Sequence, residues 1–64
     1  MTVNGESMNL AEGSTLLDLL AELGIKPETV AIEYNGEIPE RSQWGQIELC
    51  ETDRIEVIHF VGGG

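Results

Sequence analysis

The chain has few of the residues with which small proteins brace themselves. Cys50 is the only cysteine among 64 residues, so no internal disulfide can close. His59 is the only histidine, and one thiol with one imidazole falls short of a four-ligand zinc site. A single cysteine also excludes an iron–sulfur cluster, which takes four thiolates. Lys and Arg number 3 against 12 Asp and Glu, a net charge of −9. No basic patch remains to neutralise phosphates, and the surface is set against nucleic acid and anionic lipid. No apolar run approaches the length of a membrane span, and no basic and apolar leader opens the sequence. A cytoplasmic, reducing setting is the expectation.

What is present is enough for one small domain, residues 1–64. Apolar residues make up 41% of the chain and the acids are interspersed among them, unlike the block of like charges that marks a disordered tail. A chain of this size buries only about 60% of its unfolded surface. Leu, Ile and Val must therefore supply the stability that disulfides or metal supply elsewhere. The excess acid steers the protein toward a partner with a basic face.

Two Asn-Gly pairs, Asn4-Gly5 and Asn35-Gly36, are strong hairpin signals because both central residues of a type I′ turn need positive φ. The first predicts a hairpin within residues 1–10, with Met1, Val3, Met8 and Leu10 as its apolar positions. Leu16, Leu19, Leu20 and Leu23 recur at i, i+3, i+4 and i+7, the stripe of an amphipathic helix. Ser14 or Thr15 caps its start, Asp18 suits a capping box, and Gly24 suits a left-handed stop. Val30, Ile32 and Tyr34 alternate as in a half-buried strand. The second Asn-Gly turn then predicts a return strand at Glu37-Ile38, which Pro39 keeps short or at an edge. Ile47 to Leu49 predicts a further short strand. After a turn at residues 50–53, Arg54 to Val61 is the longest β-rich run. Ile55, Val57, His59 and Val61 share one face of it, and Ile58 and Phe60 the other. A strand apolar on both faces belongs in the middle of a sheet. The expected order is β-β-α-β-β-β, an α+β layout with a mixed sheet of four to five strands packed on one main helix.

The chain ends Gly62-Gly63-Gly64. Glycine carries the largest ordering cost of any residue, and a fold gains nothing from three of them after its last strand. They are expected to form a flexible tail spanning roughly 10 Å when extended. Without Cβ atoms such a tail fits between the close walls of a partner's channel. Its terminal carboxylate is ionised at neutral pH and can attack the α-phosphorus of ATP to give an acyl-adenylate, a mixed anhydride open to a sulfur nucleophile.

The chain resembles the sulfur carrier proteins of thiamin biosynthesis (ThiS), relatives of ubiquitin and of the molybdopterin synthase small subunit. Val3-Asn4-Gly5, Thr15 to Leu20, Val30 to Pro39, Arg41, Trp44, Asp53 to Val57 and the terminal glycines carry the resemblance. The Asn-Gly-Glu-Ile-Pro-Glu-Arg-Ser-Gln-Trp stretch, residues 35–44, is most like the thiamin branch. Thr52-Asp53 departs from the usual Gly-Asp. The resemblance implies a ubiquitin-like β-grasp fold and a carrier that is not itself an enzyme. Gly64 would be adenylated by an ATP-using ThiF-type enzyme. It would take sulfur from a cysteine-derived persulfide as a thiocarboxylate and pass it to a ThiG-type thiazole synthase. Gly62 and Gly63 would be the tail that threads the partner's channel. No bound cofactor, metal, nucleic acid or membrane is expected. A molybdopterin-type or other thiocarboxylate carrier and a ubiquitin-like modifier joined to lysines are the alternatives.

The remaining candidates weigh less. Cys50 has no basic neighbour to favour its thiolate, and His59 has no nucleophile to serve. Trp44 reads as a packing residue or a partner contact. Ile58 and Phe60 read as a second core layer or as an apolar docking patch.

Overall fold

The computed structural model describes residues 1–61; the three terminal glycines lie outside the described residues. Strands β1 (Thr2–Val3) and β2 (Glu6–Ser7) form the first hairpin. Helix α1 (Leu16–Leu23) follows, then a 3-10 turn at Pro27–Thr29 and strand β3 (Val30–Tyr34). A second 3-10 turn at Arg41–Gln43 precedes strand β4 (Arg54–His59). The sheet order is β2-β1-β4-β3. β1 runs parallel to β4, and the other two pairings are antiparallel. The last strand is therefore internal, as its apolar character predicts.

Local chemistry places each element. Asn4 and Gly5 have φ of 51° and 83°, and Asn35 and Gly36 have 51° and 85°, the double positive φ of type I′ turns. Thr15 and Asp18 form a reciprocal capping box: the Asp18 amide donates to Thr15 Oγ1 at 3.3 Å, and the Thr15 amide donates to Asp18 Oδ2 at 2.9 Å. Gly24, at φ 71°, ends the helix, and the Ile25 amide closes back on the Leu20 carbonyl at 2.9 Å, a Schellman-type stop. Leu16, Leu19 and Leu20 are fully buried against Val3, Val30, Ile32, Ile55, Val57 and Trp44. That cluster joins α1 to one face of the sheet.

Two expected strands shrink to single bridges. Glu37 pairs only with Tyr34, because Pro39 has no N–H with which to extend the ladder. Glu48 pairs only with Thr15. Leu16 and Leu49 amides donate to the Ile47 and Ser14 carbonyls on either side, and the pairing stops because residue 16 already enters the helix. The described residues thus form four strands. Leu23, the last member of the leucine stripe, is 40% exposed.

Candidate functional site: the open face of the last strand

β4 is flanked by β1 and β3, and its alternation divides core from surface. Ile55 and Val57 are buried, while Glu56 and Ile58 point to the other side and are exposed. That second face does not form a core layer. Ile58 is 47% and Phe60 55% exposed, because the one helix occupies the opposite face of the sheet. The docking-patch alternative is the one compatible with this exposure. His59, in the same alternation as Ile55 and Val57, is also exposed at the strand's end. The Phe60 amide donates to the Thr29 carbonyl at 3.1 Å, and Val61 beyond it is fully exposed. The tail positions Gly62, Gly63 and Gly64 lie outside the described residues.

Trp44 is a correction to the partner surface: it is 2% exposed and belongs to the core. Its Nε1 donates to the Pro39 carbonyl at 3.2 Å, and the Arg41 guanidinium lies 5.2 Å from its ring centroid. The indole's polar atom is satisfied inside the protein, so the ring can be buried. Arg41 also donates to the Pro27 carbonyl at 3.1 Å and to the Val30 carbonyl at 3.0 Å. Arg41 therefore clamps the 35–44 loop onto the start of β3, next to where β4 ends.

Asp53 has a role that sequence reading missed, having placed it only in a turn. It is 7% exposed. Its Oδ2 accepts from Tyr34 Oη at 2.9 Å and from the Cys50 amide at 2.7 Å, and its Oδ1 accepts from Asn35 Nδ2 at 3.0 Å. Burial alone would raise its pKa, but hydrogen bonds from Asn35, the Cys50 amide and Tyr34 outweigh it and hold the carboxyl below its ordinary value. Burial and then the Asp53 carboxylate push the Tyr34 phenol up to about 12. Asn35 also accepts from the Arg54 amide at 2.8 Å. At the other turn, Asn4 Oδ1 accepts from the Val57 amide at 2.7 Å. Both Asn-Gly turns therefore pin β4. The signal in the sequence was the asparagine itself, since glycine would make either turn equally well but has no amide side chain.

Cys50 is exposed. Among the described residues no cluster of His, Cys, Asp and Glu can hold a metal ion, and no helix is long and apolar enough to cross a membrane.

A four-stranded mixed sheet covered by one capped helix, with an internal carboxyl-terminal strand whose outer face is bare, defines a ubiquitin-like β-grasp domain. Comparison with known proteins agrees and narrows it. The ThiS family model matches residues 1–64, and the chain belongs to the ThiS family. It is 37% identical over 65 aligned positions to the sulfur carrier protein ThiS of Bacillus subtilis, covering 100% of this chain and 98% of that one. The crystal structure of a thiamine biosynthesis protein (ThiS) from Geobacter metallireducens superposes with a TM-score of 0.82 at 35% identity, covering 98% of this chain and 96% of that chain. A thiazole synthase of Magnetococcus marinus is 48% identical over 62 residues, 97% of this chain but 19% of that protein. The chain spans about a fifth of the length of the thiazole synthases it matches.

Proposed function

We propose that this chain is a cytoplasmic sulfur carrier of thiamin biosynthesis and that the carboxylate of Gly64 is its working group. The observation that carries the reading is the family match across residues 1–64, through the terminal glycines. The full-length similarity to a protein named as a sulfur carrier supports the same reading. The chemistry belongs to partners. An adenylating enzyme of the ThiF type binds ATP, the Gly64 carboxylate attacks its α-phosphorus, and pyrophosphate leaves. The terminal sulfur of a cysteine-derived persulfide then attacks the acyl carbon and displaces AMP. A thiol cleaves the resulting disulfide, leaving a thiocarboxylate on Gly64. Gly62 and Gly63, lacking side chains, suit a narrow channel. Thiazole synthases that contain a region similar to this chain support a ThiG-type synthase as the recipient of the sulfur.

The test is thiazole formation in a mixture of the chain, ATP, adenylating enzyme, persulfide donor and synthase. Deleting Gly64 is expected to abolish product while leaving the thermal midpoint unchanged. Full product from the shortened chain would refute the reading.

A further inference from the structure

We propose that Arg41 is a positioning residue for the Gly64 carboxylate: by holding the turn before β3 it fixes Phe60 as the point where the chain leaves the sheet, and so sets how far the tail reaches. This rests on the reading of the chain as a sulfur carrier. Arg41 is one of 3 basic residues set against 12 acidic ones, yet its hydrogen bonds go to backbone carbonyls and not to a carboxylate. Its Nε donates to Pro27 and its Nη2 to Val30, while the guanidinium lies over the buried Trp44 ring. Those two carbonyls bracket the 3-10 turn Pro27–Thr29. Within the bracket the Val30 amide donates to the Pro27 carbonyl. The Thr29 amide and Oγ1 both donate to the Lys26 carbonyl, at 3.0 and 2.7 Å. The Thr29 carbonyl is thereby aimed at β4, where it accepts from the Phe60 amide at 3.1 Å.

The Phe60 bond is the last backbone hydrogen bond along the chain among the described residues, one step beyond the pairing of His59 with Val30. Terminal rungs open at low cost, and this one is anchored on a 3-10 turn, whose own bonds have poor geometry. In an antiparallel ladder alternate residues turn their backbone groups away from the partner strand. Thr29 faces β4, so Val30 presents its carbonyl at the open edge of β3, and Arg41 occupies it with a charge-assisted donor. Four residues, 61–64, follow the Phe60 bond and extend roughly 13–14 Å. If the turn loosens, His59 and Phe60 peel away and the tether grows from four residues to six. Effective concentration falls as about the −3/2 power of tether length, so the carboxylate meets its ATP about half as often.

The test uses the full chain with the adenylating enzyme, reading kcat and KM for ATP–pyrophosphate exchange, and amide hydrogen exchange on the free chain. Tails are full-length or shortened by deleting Gly63, which leaves a terminal glycine. In Arg41→Gln the Phe60 amide is expected to exchange about tenfold faster relative to the Val57 amide, which Asn4 holds on the other side of β4. With the full tail, kcat is expected to fall about twofold at unchanged KM. Shortening the tail draws the carboxylate back by roughly 3.5 Å and is expected to lower the parent's kcat at least about tenfold. In Arg41→Gln the peeled residues restore that reach, so the shortened variant is expected to be faster than the shortened parent. Such a reversal does not come from lost stability alone. Arg41→Lys, which keeps a cationic donor, is expected to return toward the parent on both readouts. Phe60→Pro removes the last donor while leaving Arg41 in place and is expected to show the same reversal, so the test survives a misfolded Arg41→Gln. Equal losses from the deletion in every background, or a Phe60-to-Val57 exchange ratio unmoved by Arg41→Gln, would overturn the proposal. No ATP-dependent exchange with the full-length parent would instead sink the carrier reading, and the amide ratio, which needs no partner, still judges Arg41 on its own.

Discussion

At Asp53 one carboxylate accepts from the end of β3 and from the turn that starts β4, while its own carbonyl accepts from the Thr2 amide of β1 at 3.0 Å. Three strands thus converge on one residue. Its folded pKa lies below the unfolded value of about 3.9, so its contribution is fully present above that pH and is lost as pH falls through the folded value. Asp53→Asn is therefore expected to flatten the acid limb of stability below about pH 4 relative to the parent. Asp53→Ala leaves the Tyr34 hydroxyl, the Asn35 amide and the Cys50 N–H without their acceptor and is expected to cost about 2–4 kcal/mol at neutral pH. Tyr34 shifts the other way. Its stabilising protonation is complete below about pH 10 and is lost as pH rises through the folded value of about 12. It is the only tyrosine, so phenolate absorbance reads it directly. In Asp53→Asn the midpoint is expected to fall toward 10 without reaching it, since burial remains. A midpoint unchanged by the substitution would remove the carboxylate from the account.

At the scale of elements, the two ends of α1 and the two hairpin turns separate into side-chain and backbone devices. Thr15→Ala removes half of the capping box and is expected to cost about 1 kcal/mol in denaturant unfolding. Gly36→Ala meets no atom within 4 Å of the added Cβ, so its cost comes from the left-handed backbone alone, about 1–2 kcal/mol. These elements were legible in the sequence because their signals are local: a leucine stripe, a capping box, and glycines where φ must be positive. The strands at Glu37-Ile38 and Ile47-Leu49 were over-read, because a ladder's length depends on a partner that sequence periodicity does not see. Trp44 and Asp53 were under-read for the same reason. An indole is buried or exposed according to whether Pro39 and Arg41 meet it, and an aspartate before a strand reads as a turn residue until Tyr34 and Asn35 fold over it. On the last strand, alternation assigned the two faces correctly but could not say that one helix covers only one of them.

At the scale of the whole molecule, a core of nine buried apolar residues among the described ones holds together a chain of net charge −9. Self-repulsion of that charge opposes compaction. Added salt, which shortens the screening length to about 10 Å at 0.1 M, is therefore expected to raise the thermal midpoint. A midpoint that falls with salt would mean that attractive pairs dominate the surface. The same charge sets the body against phosphate surfaces, while the core holds β4 in register with β3 as far as His59. The expectations for helix, turns, strands and core concern the described residues. The central chemical one concerns Gly64, which lies beyond them, and rests on the family and on the reactivity of a carboxylate.

Intact mass of the chain after incubation with ATP, the adenylating enzyme and a persulfide donor, with fragmentation to locate any change, tests that claim most directly. The account predicts a gain equal to one oxygen-to-sulfur exchange, confined to Gly64 and dependent on ATP. A gain at Cys50 instead, or adducts joining Gly64 to lysines of other proteins, would contradict it.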